Sequence, residues 1–350
     1  MATRIIEPFH TGLFVRNQPK ASCWYHFEPQ WHAPAEACDA HLRHLEKHQL
    51  DFLKVMYEFG YPRAGLGSAG VVQAASDLGK LREVPGDGPP FDRQLDLLRR
   101  LAQRVGGHVP LTTTIFHAWT ELRNLTAVPP IAHRPPQIGP SHDPRDAALT
   151  ELLRADRSAV AAALHTIGRT LAGFARACLD GGADGVYLAT RDDWVDTAAN
   201  RAALRLPETE SVYDALVAET DRAILAAASG GWFNVLHVCG QPLRLERHVG
   251  DPYVHVLHWA DRVTGPSLAD GRRIVEHKLG VENARCLALA GGVNNLQTLP
   301  HGRPEDVARE VHEALAAGRG RPLIIAPGCT YAPGEVPDEN IRAMVSAARS

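Results

Sequence analysis

Eight short runs of apolar and β-branched residues recur along this 350-residue chain, and the segments between them repeat their apolar positions roughly every 3.6 residues. The runs cover residues 22–27, 52–56, 111–116, 185–190, 233–238, 253–259, 286–290 and 323–326. Most are apolar nearly throughout, as strands covered on both faces must be. Strands alternating with helices build a parallel sheet, because each helix carries the chain back to start the next strand in the same sense. Eight such units suit a (β/α)8 TIM barrel, which takes roughly 250 residues plus insertions. An open doubly wound sheet is the competing arrangement.

Helical patterns run over residues 91–105, 156–179, 211–228, 304–317 and 338–348. Gly106-Gly107, Gly181-Gly182, Gly230-Gly231 and Gly318 follow four of them, where a left-handed residue ends a helix, and Asp338 is placed to cap the fifth. Residues 65–90 and 126–146 exceed a minimal barrel and are rich in Gly and Pro, which suggests loops covering the open face after the early strands. With no linker, low-complexity tract or repeat beyond the βα alternation, residues 1–350 read as a single domain.

A hydrophobic fraction of 45% is enough for a large core. The net charge of −3, without blocks of like charge, offers no field for nucleic acid or an anionic membrane. No apolar run is long enough to span a bilayer, and the first residues lack the apolar core of a secretion signal. Six scattered cysteines read as reduced thiols rather than a disulfide framework. A cytoplasmic location is expected.

The fifth run ends in His237-Val238-Cys239. Side chains two apart on a strand share a face, so His237 and Cys239 point the same way. The eighth run delivers a second thiol, Cys329, just beyond its end. In a barrel all strands end at one mouth, so distance along the chain does not keep these three apart. One imidazole and two thiolates suit Zn2+ and leave one coordination position open. A small thiol entering there would be held as thiolate and become a nucleophile, which points to alkyl transfer to sulfur. The competing reading makes both cysteines small core residues and His237 a partner for a carbonyl. Spacing alone leaves both open.

Other polar residues sit at strand ends and are candidates for substrate binding: His26 and Glu28, His117, Thr190 and Arg191, His258, and Asn294, with Asp261 close by. Each is equally explained as a loop cap. His41, His44 and His48 recur at helical spacing and read as a solvated helix face. Gly65-Leu66-Gly67-Ser68-Ala69-Gly70 has the letters of a dinucleotide fingerprint but starts well after its strand, so a flexible loop is expected.

The C-terminal stretch from Gly328-Cys329-Thr330-Tyr331 to Ala343-Met344-Val345 resembles the final strand, loop and helix of the uroporphyrinogen decarboxylase superfamily. Gly182-Ala183-Asp184-Gly185-Val186, Ala290-Gly291-Gly292-Val293-Asn294 and Gly302-Arg303-Pro304-Glu305-Asp306-Val307 resemble other parts of it. The resemblance spans roughly residues 160–350 and implies a (β/α)8 barrel. Within the superfamily, His-x-Cys with a distant Cys is similar to the zinc motif of corrinoid-dependent methyltransferases, which move methyl from methylcobalamin to coenzyme M or a related thiol. That likeness implies His237, Cys239 and Cys329 as zinc ligands, with a corrinoid, free or on a corrinoid protein, as methyl donor. The decarboxylase branch, acting on a porphyrinogen or smaller carboxylate without metal, is the alternative. Its arginine-bearing first segment, second-strand aspartate and last-strand histidine are missing here: residues 23–29 hold no arginine, residues 55–62 no aspartate, and Cys329 stands at the last strand.

Overall fold

The computed structural model describes residues 20–26, 33–126, 143–318, 321–332 and 334–350. Eight strands occur in it: β1 Lys20–Ala21, β2 Leu53–Val55, β3 Leu111–Phe116, β4 Gly185–Arg191, β5 Val235–Cys239, β6 Val256–Trp259, β7 Ala288–Val293 and β8 Leu323–Pro327. Neighbouring strands pair in parallel, in the order β1-β8-β7-β6-β5-β4-β3-β2. This is an α/β fold with a curled parallel sheet, similar to a TIM barrel. Among the described residues no ladder joins β1 to β2. Three hydrogen bonds cross that edge instead, Asp51 N to Ala21 O at 3.0 Å, Ala21 N to Asp51 Oδ2 at 2.7 Å and Ser22 Oγ to Phe52 O at 2.8 Å.

Strand alternation sorts the core into two compartments. Phe52, Met56, Tyr187, Phe233, Val235, Val256, Ala288, Ala290, Ile324 and Ala326 pack together with Trp24 inside the curled sheet. Their neighbours in sequence, such as Val55, Val186, Leu236, Leu257, Leu289 and Ile325, face the helices. Several helices are capped by the side chain their sequence offers. Asp156 accepts from Ala159 N, Ser211 from Asp214 N and Ser267 from Asp270 N. Among the described residues no helix is long and apolar enough to cross a membrane.

Five expectations are corrected. The first strand, expected over 22–27, pairs only at Lys20–Ala21 and again at an isolated bridge between Tyr25 and Tyr331. Four positions separate Ala21 from Tyr25 while six separate Ile325 from Tyr331, so two extra residues on the β8 side bulge out and interrupt the ladder. The seventh strand, expected over 286–290, lies at Ala288–Val293, because β8 pairs with both Gly291 and Gly292, at Ile325 and Ala326. The 211–228 pattern is two helices, Val212–Leu216 and Ala218–Ala227, separated at Val217. Asp338 opens its helix one place inside the cap and pairs with Lys47 at 2.6 Å.

The histidine face of helix Pro34–His48 is also not solvated. His41, His44 and His48 are buried: His44 Nε2 reaches Cys23 O at 3.0 Å, Met56 N donates to His41 Nε2 at 3.4 Å, and His48 lies 3.6 Å from Asp338. The helix turns this face toward β1, β2 and the C-terminal helix because short imidazoles satisfy backbone groups at the joint while its charged residues stay outside. The Gly65–Gly70 stretch forms a single 3-10 turn, Gly67–Ala69. Residues 127–142, most of the second expected cover, lie outside the described residues.

Candidate metal centre

On β5, His237 and Cys239 share the interior face with Val235. Gly240 then turns the chain at φ +88°, a conformation that suits glycine, and a side chain there would meet the Asp193 carboxyl at 2.1 Å. On the β8 side the backbone passes close against the end of β6, where a Cβ on Gly328 would stand 2.6 Å from Ala260 Cα. Cys329 follows within the bulge, and Asn295 Nδ2 donates to Thr330 O at 3.0 Å, fixing the next peptide. The irregularity that cuts β1 short is therefore what carries the second thiol to the mouth.

The structure brings the three side chains together. Cys239 Sγ and Cys329 Sγ are 3.9 Å apart, and Cys329 Sγ is 3.6 Å from His237 Nε2. All three donor atoms lie within 4.8 Å of one another, and among the described residues no other group of three His, Cys, Asp or Glu does so. A tetrahedral zinc ion with ordinary bond lengths holds two sulfurs about 3.8 Å apart and a sulfur about 3.6 Å from an imidazole nitrogen. The spacings fit, and one coordination position is left over. Directly bonded sulfurs would lie about 2.05 Å apart, so this is no disulfide, and all six cysteines are free.

The hydrogen bond from Cys239 holds Cys329 down at about 6 against the opposing effect of burial, with help from the Lys54 ammonium and Thr330. The same contact, with burial, pushes Cys239 well above the ordinary thiol range. Metal-ligating cysteines must be thiolates, and the lowering of Cys329 is in that direction.

Aromatic rings support His237 from below. It stacks on Tyr187 with centroids 5.5 Å apart and lies 4.6 Å from the ring of His258. The hydrogen bonds of His258 settle its tautomer. Pro327 O, 3.1 Å from Nε2, can only accept, so Nε2 carries the proton and Nδ1 accepts from Tyr187 Oη at 2.6 Å. Burial and the neighbouring His237 keep His258 neutral, far below the usual imidazole range. The Nδ1 of His237 is buried without a hydrogen-bond partner among the described residues.

The substrate candidates fall into separate places. Arg191 stands opposite Cys239 in the β4–β5 register, but Asp193 grips it at 2.9 and 2.6 Å and its guanidinium stacks 3.9 Å over Trp194. His26 meets Glu58 at 3.0 Å, and Glu28 lies outside the described residues. His117 and Thr190 bond to each other at 3.0 Å, both fully buried, and His117 also faces Asp221 at 3.7 Å, on the helix side of the sheet rather than in its interior. Asn294 Oδ1 accepts from Leu296 N and Gln297 N, as a loop cap does. Asp261, raised to about 6 chiefly by burial, accepts from Gly292 N at 2.8 Å.

One interior residue went unnoticed in the sequence. Lys54 is buried between Phe52 and Met56 on the inward face of β2. Its Nζ lies 4.2 Å from the centre of the Tyr187 ring, 5.3 Å from that of Trp24 and 3.1 Å from Met56 Sδ. Burial lowers it to about 8, against the attraction of Cys329, Glu58 and Cys239. The signal available was the alternation Phe52-x-Lys54-x-Met56, which sends a lysine inward with two large apolar residues.

The family model described as uroporphyrinogen decarboxylase (URO-D) matches residues 68–350. No curated protein matches the chain. Among solved structures it is similar to a methyltransferase from Methanosarcina mazei, with a TM-score of 0.66 and 19% identity, covering 91% of this chain and 86% of that one. It is also similar to a B12-independent methionine synthase from Shewanella sp. W3-18-1 in complex with selenomethionine, with a TM-score of 0.53 and 10% identity, covering 95% and 96%. At these identities the likeness is one of fold.

Proposed function

This chain belongs to the uroporphyrinogen decarboxylase family, and from that premise we propose that it is a zinc-dependent methyltransferase acting on a thiol. The observation that carries this reading is the donor geometry, with sulfur–sulfur and sulfur–nitrogen distances of 3.9 and 3.6 Å that suit tetrahedral zinc with one position open. A zinc ion held there by His237, Cys239 and Cys329 would supply the Lewis acidity that keeps an incoming thiol deprotonated at neutral pH. Its sulfur would then take a methyl group from a corrinoid-type donor, free or on a corrinoid protein. The electron pair of the broken bond stays with the donor, and the thiol proton has already gone to solvent.

The chain's own residues prepare this chemistry. The contact with Cys239 lowers Cys329 toward the thiolate form that a metal ligand needs. The Tyr187 and His258 rings hold the His237 imidazole in plane. The methyltransferase among the structural neighbours supports the same reaction class. The other neighbour is a B12-independent enzyme, so the donor is the part to be tested most directly. We further read the sheet as a closed (β/α)8 barrel, residues 1–350 as one domain, and the cytoplasm as its location, in keeping with six free thiols.

Elemental analysis is expected to find about one zinc per chain, and Cys239→Ala or Cys329→Ala to abolish it, since each leaves only two protein ligands. The zinc-loaded protein should consume methylcobalamin only when a thiol is present. Wild-type protein without stoichiometric metal ends the proposal. The family's own description favours a second reading, metal-free decarboxylation. Against it, Arg191, the arginine best placed to grip a carboxylate, is bound in a bidentate pair with Asp193. Carbon dioxide release from a porphyrinogen by chelator-treated protein would establish it.

A further inference from the structure

An ammonium group inside a curled sheet is costly unless something answers its charge. Among the described residues Lys54 has no carboxylate within ion-pair distance, and Glu58 attracts it only from farther off. Its neighbours are two aromatic faces and a thioether, Tyr187, Trp24 and Met56. Cation–π contacts of this kind offset only part of the cost of desolvation. Tyr187 carries Lys54 against its ring and at the same time stacks on the metal-facing imidazole of His237, so the ammonium lies in the layer just beneath the metal centre.

Charge counting indicates what Lys54 answers, on the zinc reading given above. Zinc with two thiolates and a neutral imidazole is uncharged, so Lys54 gains nothing from the resting centre. A third thiolate, from substrate, makes the centre an anion in a buried, low-dielectric place. We propose that Lys54 is the counter-charge for the substrate thiolate, a positioning residue that favours a bound thiolate over a neutral ligand at the open coordination position. The substrate class this selects is a small thiol bound as its anion.

Cobalt-substituted protein tests this: Cys239 and Cys329 already give sulfur-to-cobalt charge transfer, a third thiolate adds to that absorption, and a neutral ligand changes only the weaker d–d bands. The wild type and Lys54→Met are titrated with 2-mercaptoethanol and, separately, with imidazole. Methionine is similar in shape and apolar. The variant is expected to keep its metal and to bind 2-mercaptoethanol about tenfold or more weakly, with imidazole affinity unchanged within about twofold. Lys54→Arg should recover most of the loss, which a purely structural role would not produce. Should Lys54→Met fold poorly, Lys54→Gln takes its place in the same titrations. Equal loss of both ligands, or of neither, overturns the assignment while leaving the metal centre standing. A wild type that takes up no metal sinks the centre itself and Lys54 with it.

Discussion

Glu121 shows how a single buried side chain writes itself into the pH dependence of the whole chain. It lies in helix Ala118–Leu125 with almost no solvent contact, and burial raises its carboxyl to about 8, against the hydrogen bond from Asn124 and the attraction of Arg63. A carboxyl whose folded value lies above its unfolded one contributes most at low pH and loses that contribution as pH rises. Between the ordinary value of 4.5 and about 8, the unfolded chain has released the proton and the folded one has not. Stability from this group should therefore fall by about 1.4 kcal/mol per pH unit across that window. Glu121→Gln should match the wild type near the acidic end and exceed it increasingly toward the alkaline end, as read by urea midpoints at several pH values. A constant difference across the window would show that Glu121 is ionised in the folded protein. At the same scale, Lys54 and the buried histidines of helix Pro34–His48 show why charge alone misleads. Sequence places such residues at the surface by default, and only the partners they meet, Tyr187 for Lys54 and Cys23 O for His44, show otherwise.

At the level of elements, β5 carries two of the three proposed ligands, and its position is set below the site by Asn234. That side chain is fully buried, accepts from Val186 N at 3.0 Å and donates to Ala228 O and Tyr253 O at 2.9 and 3.1 Å. It ties β5 to β4, to the preceding helix and to the approach to β6. Asn234→Ala strands one donor and two acceptors, each costing about 1 kcal/mol or more, so a loss of about 3 kcal/mol is expected in urea unfolding. If the strand shifts as a result, zinc affinity should fall with it. An unfolding midpoint within error of the wild type would mean that water replaces all three bonds. The β8 end was less legible than β5. The apolar run to Ala326 marks the strand, but the extra residues opposite β1 that project Cys329 appear only once the two strands are laid side by side.

For the molecule as a whole, the proposed metal site joins strands that are distant along the chain, since Cys239 and Cys329 are 90 positions apart. An ion bound only by the folded form stabilises it by mass action, about 2.7 kcal/mol at a hundredfold excess over Kd. The melting temperature should rise with free zinc and drop on chelation, and Cys329→Ala should melt at the same temperature with or without zinc. A wild-type melting point indifferent to zinc would contradict a site built across β5 and β8. The alternation of apolar runs and amphipathic segments determined from sequence alone that this chain makes a parallel α/β sheet, because the backbone can bury such runs in few other ways. It also determined that His237 and Cys239 share a face, because strand geometry leaves them no choice. What only the tertiary structure decided was which distant groups meet: Cys329 with Cys239, Lys54 with Tyr187, and Arg191 with Asp193 rather than with a ligand. Those encounters depend on sheet register, on one bulge and on loop packing, which arise from contacts between segments far apart in the chain and leave no local pattern in any one of them.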